Sequence, residues 1–159
     1  MNLISKKIFN NLQEFQNYLI SSGFCGLEFS DSNCIFLLYG DIGHGKTTFV
    51  RDFVSSLGDF KSIDVTSPTF NIVHEYKSKD YQSKDYQSKD YQSRSIFHFD
   101  LYRINPTIEK LQEIGLFSAL DADFTFIEWS EKLQESFVNS FFSNSITSKK
   151  ICLKLLINK

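Results

Sequence analysis

The stretch Gly40-Asp41-Ile42-Gly43-His44-Gly45-Lys46-Thr47-Thr48 restricts this chain more than any other. It follows an apolar run, Cys34 to Tyr39. It precedes a segment from Thr47 to about Leu57 in which Phe49, Val50, Phe53, Val54 and Leu57 recur at helical spacing. Strand, glycine loop, lysine, hydroxyl and helix form the phosphate-binding pattern G-x-x-x-x-G-K-[ST], carried by Gly40, Gly45, Lys46 and Thr47. A chance glycine turn would rarely set four such residues between a strand and a helix. Glycines at 40, 43 and 45 let the backbone approach an anion, with its N–H groups turned inward as a nest. The helix that starts beside them adds the positive end of its dipole. Lys46 is placed to meet the β- and γ-phosphates, and Thr47 to put its hydroxyl on Mg²⁺. Asp41, His44 and Thr48 complete the loop as candidate nucleotide contacts. The position of His44 requires only a tolerated side chain, not a base.

A chain of 159 residues suggests one domain with a core that needs no disulfides. Cys25, Cys34 and Cys152 are scattered, with no C-x-x-C spacing, and read as buried or free thiols of a reducing compartment. A formal net charge of -2 gives no strong field toward nucleic acid or an anionic membrane, so direct sequence-specific nucleic-acid binding is not expected. No run reads as a signal peptide or approaches the ~20 apolar residues of a membrane span, so a cytoplasmic location is expected. The 17 phenylalanines read as a composition bias rather than a function.

Residues 1–9 read as a short strand or arm. Leu12, Phe15, Tyr18 and Leu19 predict an amphipathic helix over 11–21, ended by Ser22-Gly23. Gly58 suits the C-terminal cap of the helix that follows the glycine loop. Thr66-Ser67-Pro68-Thr69-Phe70 is a loop, and Asn71 to Tyr76 a strand. Ser-Lys-Asp-Tyr-Gln then occurs three times in register over 78–92. Its period of five fits neither helix nor strand, and it has no aliphatic residue to offset ordering. It reads as an expanded hairpin tip over about 77–94; a docking arm using Tyr81, Tyr86 and Tyr91 is the less favoured reading. The hairpin returns through Ser95 to Arg103. Thr107 caps a short helix bearing Ile108, Leu111, Ile114 and Leu116. Phe124 to Ile127 is a buried strand ending at Glu128-Trp129, Glu131 to Phe142 starts helical and becomes irregular, and Ile151 to Ile157 is a final strand.

A triphosphate site also needs a carboxylate for the metal and an oriented attacking oxygen. Asp100 and Glu128 sit at the ends of apolar strands, where an α/β sheet places its ligand edge. Glu128 is the first choice and Asp100 the second; each could instead be a solvated turn acid or an ion-pair partner of Arg103. Thr66, Ser67 and Thr69 lie where such domains often sense a γ-phosphate, or else serve the turn around Pro68. Trp129 could be core or could stack on a base or partner. The absence of an Asn-Lys-x-Asp run disfavours a GTPase. With only Arg51, Arg94 and Arg103, no arginine-rich lid of a small-molecule kinase is visible.

G-D-I-G-H-G-K-T-T-F, T-S-P-T-F, H-F-D-L-Y-R and I-E-W-S-E-K, in this order and near this spacing, resemble the TsaE (YjeE) family of bacterial ATPases. The similarity runs from about Cys34 to Lys132 and includes E-K-L-Q-E-I-G-L. The resemblance implies a small P-loop NTPase-like α/β domain, its central parallel sheet flanked by antiparallel strands. It implies binding of ATP and Mg²⁺, slow hydrolysis, and action with the TsaB–TsaD complex in making threonylcarbamoyladenosine beside the tRNA anticodon. On it, Lys46 and the loop amides hold phosphates, Thr47 binds Mg²⁺, and Thr66 to Thr69 form a switch. Asp100 and Glu128 serve metal and water, with Trp129 beside the site. The chain departs from the family at His44, usually a small residue, in the repeats, and after Lys132. The rival functions are a nucleotide-gated adaptor without essential hydrolysis and a small-molecule kinase.

Overall fold

A computed structural model of the chain describes residues 5–9, 14, 15, 17, 33–57, 60, 63–78, 94–138 and 150–157; of 5–9 and 150–154 it describes the backbone alone. The strands are β1 (Ser5–Phe9), β2 (Asn33–Tyr39), β3 (Val73–Lys77), β4 (Ser95–Asp100), β5 (Phe124–Glu128) and β6 (Lys150–Ile157). The helices are α1 (Lys46–Ser56), α2 (Ile108–Glu113) and α3 (Leu116–Ala119), with a 3₁₀ turn at Ser130–Lys132. The strands form one sheet in the order β1-β6-β2-β5-β4-β3. All neighbours are parallel except β3 and β4.

The fold is therefore α/β with a mostly parallel mixed sheet. The antiparallel pairing lies at one edge of the parallel strands. β3 and β4 are joined as a hairpin, its base closed by Ser78 N–H to the Arg94 carbonyl at 2.9 Å. The other edge strand, β1, runs parallel to β6. The chain reaches β2 from β1 through a connection in which Glu14, Phe15 and Asn17 are helical, and a crossover of that kind returns strands in the same direction. The repeats, Gly58 and most of the 11–21 helix lie outside the described residues.

Both faces of the central strands β2 and β5 are covered, and alternation sorts their side chains into two cores. Cys34, Phe36, Leu38, Phe124, Phe126 and Ile96 face α1, which buries Phe49, Val50, Phe53 and Val54 against them. Phe36 stacks on Phe126 with centroids 4.6 Å apart, and Phe53 meets Phe124 edge-on at 5.3 Å. Phe15 adds edge contacts to Phe36 and Phe49 at 5.8 and 5.4 Å. Phenylalanine is thus the building material of this core, each ring pair worth about 0.5–1.5 kcal/mol beyond its area. On the other face Ile35, Leu37, Phe99 and Ile127 pack with Leu111, Leu116 and Leu120.

Local signals explain several boundaries. Thr107 caps α2, its side chain accepting from the Lys110 N–H. The single helix expected through Leu116 is instead two, because Gly115 takes a left-handed φ of 76° between them. Ile108, expected on the core stripe, is 61% exposed. β3 starts at Val73 rather than Asn71 because Ile72 has φ 69°, a conformation that a β-branched residue rarely adopts and that ends strand geometry there. Its carbonyl instead accepts the Asp100 N–H at 2.9 Å. The segment after Trp129 enters as the 3₁₀ turn before 135–138 become helical; the remainder of the expected 131–142 element lies outside the described residues. Among the described residues no helix is long and apolar enough to cross a membrane.

Candidate functional site

Parallel pairing brings the carboxyl ends of β2, β4 and β5 to one edge. The register sets Asp100 directly beside Glu128, and Leu38 on the opposite side of Glu128. Asp100, Glu128 and Leu38 end the rows that face α1, so both carboxylates arrive where α1 begins. The loop from Gly40 to Gly45 connects β2 to that helix. Gly40, Gly43 and Gly45 all have positive φ, at 135°, 78° and 94°. Gly40 has no alternative, since a Cβ there would stand 2.5 Å from the Ile157 carbonyl of β6.

A cleft of about 350 Å³ opens at this edge. Its walls are the loop at Ile42, Gly43 and Gly45, the first residues of α1, Ser67 and Thr69, the two carboxylates, and Tyr102 with Trp129. The first turn of α1 has no side-chain cap and no acidic residue, so its leading N–H groups have no partner from either source. An anion at the mouth would meet them and the positive end of the helix dipole.

Two carboxylates and three hydroxyls gather on one side. Thr47 Oγ1 donates to Glu128 Oε1 at 2.7 Å. Thr69 Oγ1 donates to Asp100 Oδ2, and the Ser67 and Thr69 hydroxyls are 2.7 Å apart. The Tyr102 N–H donates to Asp100 Oδ1 at 2.8 Å. Two carboxylates and three hydroxyls are hard donors that fit Mg²⁺ and not a soft metal. Among the described residues no group of three His, Cys, Asp or Glu gathers as a self-sufficient metal cage.

Lys46 is buried, 4% exposed, and folded back on its own loop. Its Nζ donates to the carbonyls of Gly40 and Asp41 and lies 3.9 Å from the Trp129 ring centroid. Burial lowers its pKa below the ordinary lysine value, against the pull of Glu128, Glu131, Asp100 and Asp41. Trp129 reaches this place because it has φ 61°, a left-handed turn just after β5. Its ring lies 4.9 Å from Tyr102.

The structure thus gathers Gly43, Gly45, Lys46, Thr47, Thr48, Thr69, Asp100, Glu128 and Trp129 around one cleft. Gly40, Asp41, His44 and Thr66 do not line it. Gly40 and Asp41 act through carbonyls that hold Lys46. His44 packs toward Gly40, and its Nδ1 is buried with no partner among the described residues. Thr66 is exposed and offers its carbonyl to Tyr76, whereas Ser67 and Thr69 line the cleft. Asp100 makes no ion pair with Arg103 among the described residues; that guanidinium sits 4.2 Å from the Phe70 ring centroid.

Three contributors escaped the sequence reading. His98, fully buried, donates from Nε2 to Glu128 Oε1 at 2.8 Å. Its position two residues before Asp100 on one strand face was the available signal. Tyr102 supplies a wall. Lys132 Nζ donates to the carbonyls of Leu101, Tyr102 and Ile104 at 2.8, 2.7 and 2.6 Å, tying the turn after β4 to the turn after β5.

The family model described as "Threonylcarbamoyl adenosine biosynthesis protein TsaE" matches residues 11–153. A Rickettsia bellii protein named "tRNA threonylcarbamoyladenosine biosynthesis protein TsaE" is 34% identical over 129 residues, 81% of this chain and 76% of its own length. Proteins of the same name from Rickettsia typhi and Haemophilus influenzae are each 36% identical. The alignments cover 62% of this chain and 58% of the first, and 61% of this chain and 52% of the second. The chain spans between about half and three-quarters of the length of the curated relatives it matches. The matched span holds the glycine loop, Asp100, Glu128 and Trp129, and the chain belongs to the TsaE family.

Proposed function

We propose that this chain is a P-loop NTPase-like protein that binds ATP with Mg²⁺, hydrolyses it slowly, and acts as an accessory to threonylcarbamoylation of tRNA beside the anticodon. In this reading its partners are TsaD and TsaB. One observation carries the nucleotide part. Lys46, Thr47, Thr69, Asp100 and Glu128 come from four separate segments and meet at the carboxyl edge of a parallel sheet, where such sheets bind ligands. The names of the relatives carry the tRNA part.

The residues divide the work by chemistry. The amides of Gly43, Gly45 and the first turn of α1 cradle the phosphates, and Lys46 swings from its carbonyls to the terminal ones. Thr47, Asp100 and Glu128 would hold the metal or its waters, and Mg²⁺ when bound neutralises charge on the phosphates. Glu128 orients the attacking water. Trp129 and Tyr102 close one side of the cleft. Ser67 and Thr69, on a loop bonded to Asp100, change partners when the terminal phosphate arrives or leaves, and that change is what a partner reads.

Titration with ATP and Mg²⁺ followed by calorimetry tests binding, and phosphate release with and without TsaB–TsaD tests turnover. Saturable ATP binding that Lys46→Met weakens is expected. Absence of binding overturns the nucleotide reading, and full threonylcarbamoyladenosine in a strain depleted of the protein overturns the tRNA reading. Glu128→Gln decides between hydrolysis and a nucleotide-gated adaptor: complementation by a variant that binds ATP without turning it over selects the adaptor. Phosphoryl transfer to an added acceptor would select a kinase.

A further inference from the structure

We infer that His98 is a positioning residue that fixes the rotamer of Glu128 and commits one of its two oxygens; the inference rests on the ATPase reading above. His98 Nε2–H and Thr47 Oγ1–H both point to Glu128 Oε1, at 2.8 and 2.7 Å. A carboxylate oxygen can accept two such bonds, and with Oε1 held from two directions Oε2 is the oxygen left for a reacting water. The two donors differ in permanence. Thr47 begins α1 at the cleft wall, and its hydroxyl leaves Glu128 whenever it turns to another ligand. His98 has no such alternative. It is 0% exposed inside the sheet–α1 layer, in register with Phe126 and one strand step behind Asp100. When Thr47 lets go, His98 alone keeps Glu128 aimed.

A packing role accounts for less. A carboxylate only accepts, so Nε2 is the nitrogen that turns its N–H toward Glu128. Nδ1 is buried with no partner among the described residues. An apolar side chain of similar volume would fill the space without that unsatisfied nitrogen, so the imidazole is the worse choice for the core and the better one for Glu128. The same layer is otherwise lined by Phe36, Phe53 and Phe126, which shows that apolar residues suit it.

His98→Leu and His98→Gln, measured beside wild type for calorimetric ATP affinity, urea midpoint, and KM and kcat of phosphate release, test this. Leucine removes the donor; glutamine can place an N–H near the position of Nε2. His98→Leu should keep its urea midpoint and KM while kcat falls about 10- to 100-fold, the usual effect of losing a partner that orients an active-site ligand. His98→Gln should recover most of kcat. Wild-type kcat in His98→Leu overturns the inference, as does equal loss in both variants. Should His98→Leu fail to fold, His98→Asn, whose N–H is too short to reach Oε1, replaces it, and equal kcat for Asn and Gln overturns the inference. Wild-type protein that neither binds nor hydrolyses ATP overturns the functional reading and this inference with it, whereas active wild type with an active leucine variant removes the inference alone.

Discussion

Lys132 makes the sharpest stability prediction. Its ammonium has three N–H donors, and three backbone carbonyls of one turn, those of Leu101, Tyr102 and Ile104, converge on it. Lys132→Met removes all three bonds and leaves the carbonyls behind. The bond to Tyr102 is exposed, so water replaces it and its loss costs little. The bonds to Leu101 and Ile104 are partly buried. Hydrogen bonds to a charged group contribute about 1.5–3 kcal/mol each when buried, and about half of that at partial exposure, so the pair is worth about 1.5–3 kcal/mol. With a urea slope of about 2 kcal/mol/M the midpoint should fall by about 0.75–1.5 M. At this chain length the melting temperature should fall by about 3–12 °C. Trp129, the one tryptophan of the chain, lies against Tyr102 in the restrained wall, so its emission follows the transition. Lys132→Arg should not rescue, because a planar fork cannot aim three N–H groups at three carbonyls around a point. A Met variant with the wild-type midpoint, or an Arg variant equal to wild type, would refute the cage as a source of stability.

Three further outcomes are expected. Gly40→Ala should cost more than about 2 kcal/mol in urea unfolding, since it combines a φ of 135° with a Cβ 2.5 Å from the Ile157 carbonyl; a neutral effect would mean that β6 shifts freely. Lys46→Met should leave the urea midpoint near neutral pH at or above wild type while weakening ATP binding about 10- to 100-fold, the loss of one charge-assisted phosphate contact. The sign follows from burial: a lysine whose folded pKa is lowered binds fewer protons folded than unfolded, so its charge opposes folding at neutral pH and the penalty fades as pH rises toward 10.5. A midpoint clearly below wild type would show that its carbonyl contacts outweigh desolvation. Burial, helped by Asp123, pushes the Cys34 thiol up to about 12 from 9.0. Its contribution to stability is complete below pH 9 and is lost progressively between about 9 and 12, because the unfolded thiol ionises first; a difference from Cys34→Ala that stays flat between pH 8.5 and 10.5 would contradict this.

The sequence by itself determined the parts that depend on neighbours along the chain. Gly40 to Thr47 between an apolar strand and a helical stripe is a local pattern, and it appears as β2, loop and α1 within a residue of its expected ends. Asp100 and Glu128 were legible because each follows an apolar strand, and the Thr107 cap because its hydroxyl precedes Lys110 by three residues. The tertiary structure decided which of these meet. Nothing along the chain says that β4 lies beside β5, yet that pairing sets Asp100 next to Glu128. Nor does it say that β6 enters between β1 and β2, which forces glycine at position 40. His98 and Lys132 reach the site across 30 and about 30 residues of sequence. The reason is physical. Loops and helix starts are set by backbone preferences acting over a few residues, whereas strand order and register follow from burying both faces of the sheet, a condition that only the whole chain can satisfy.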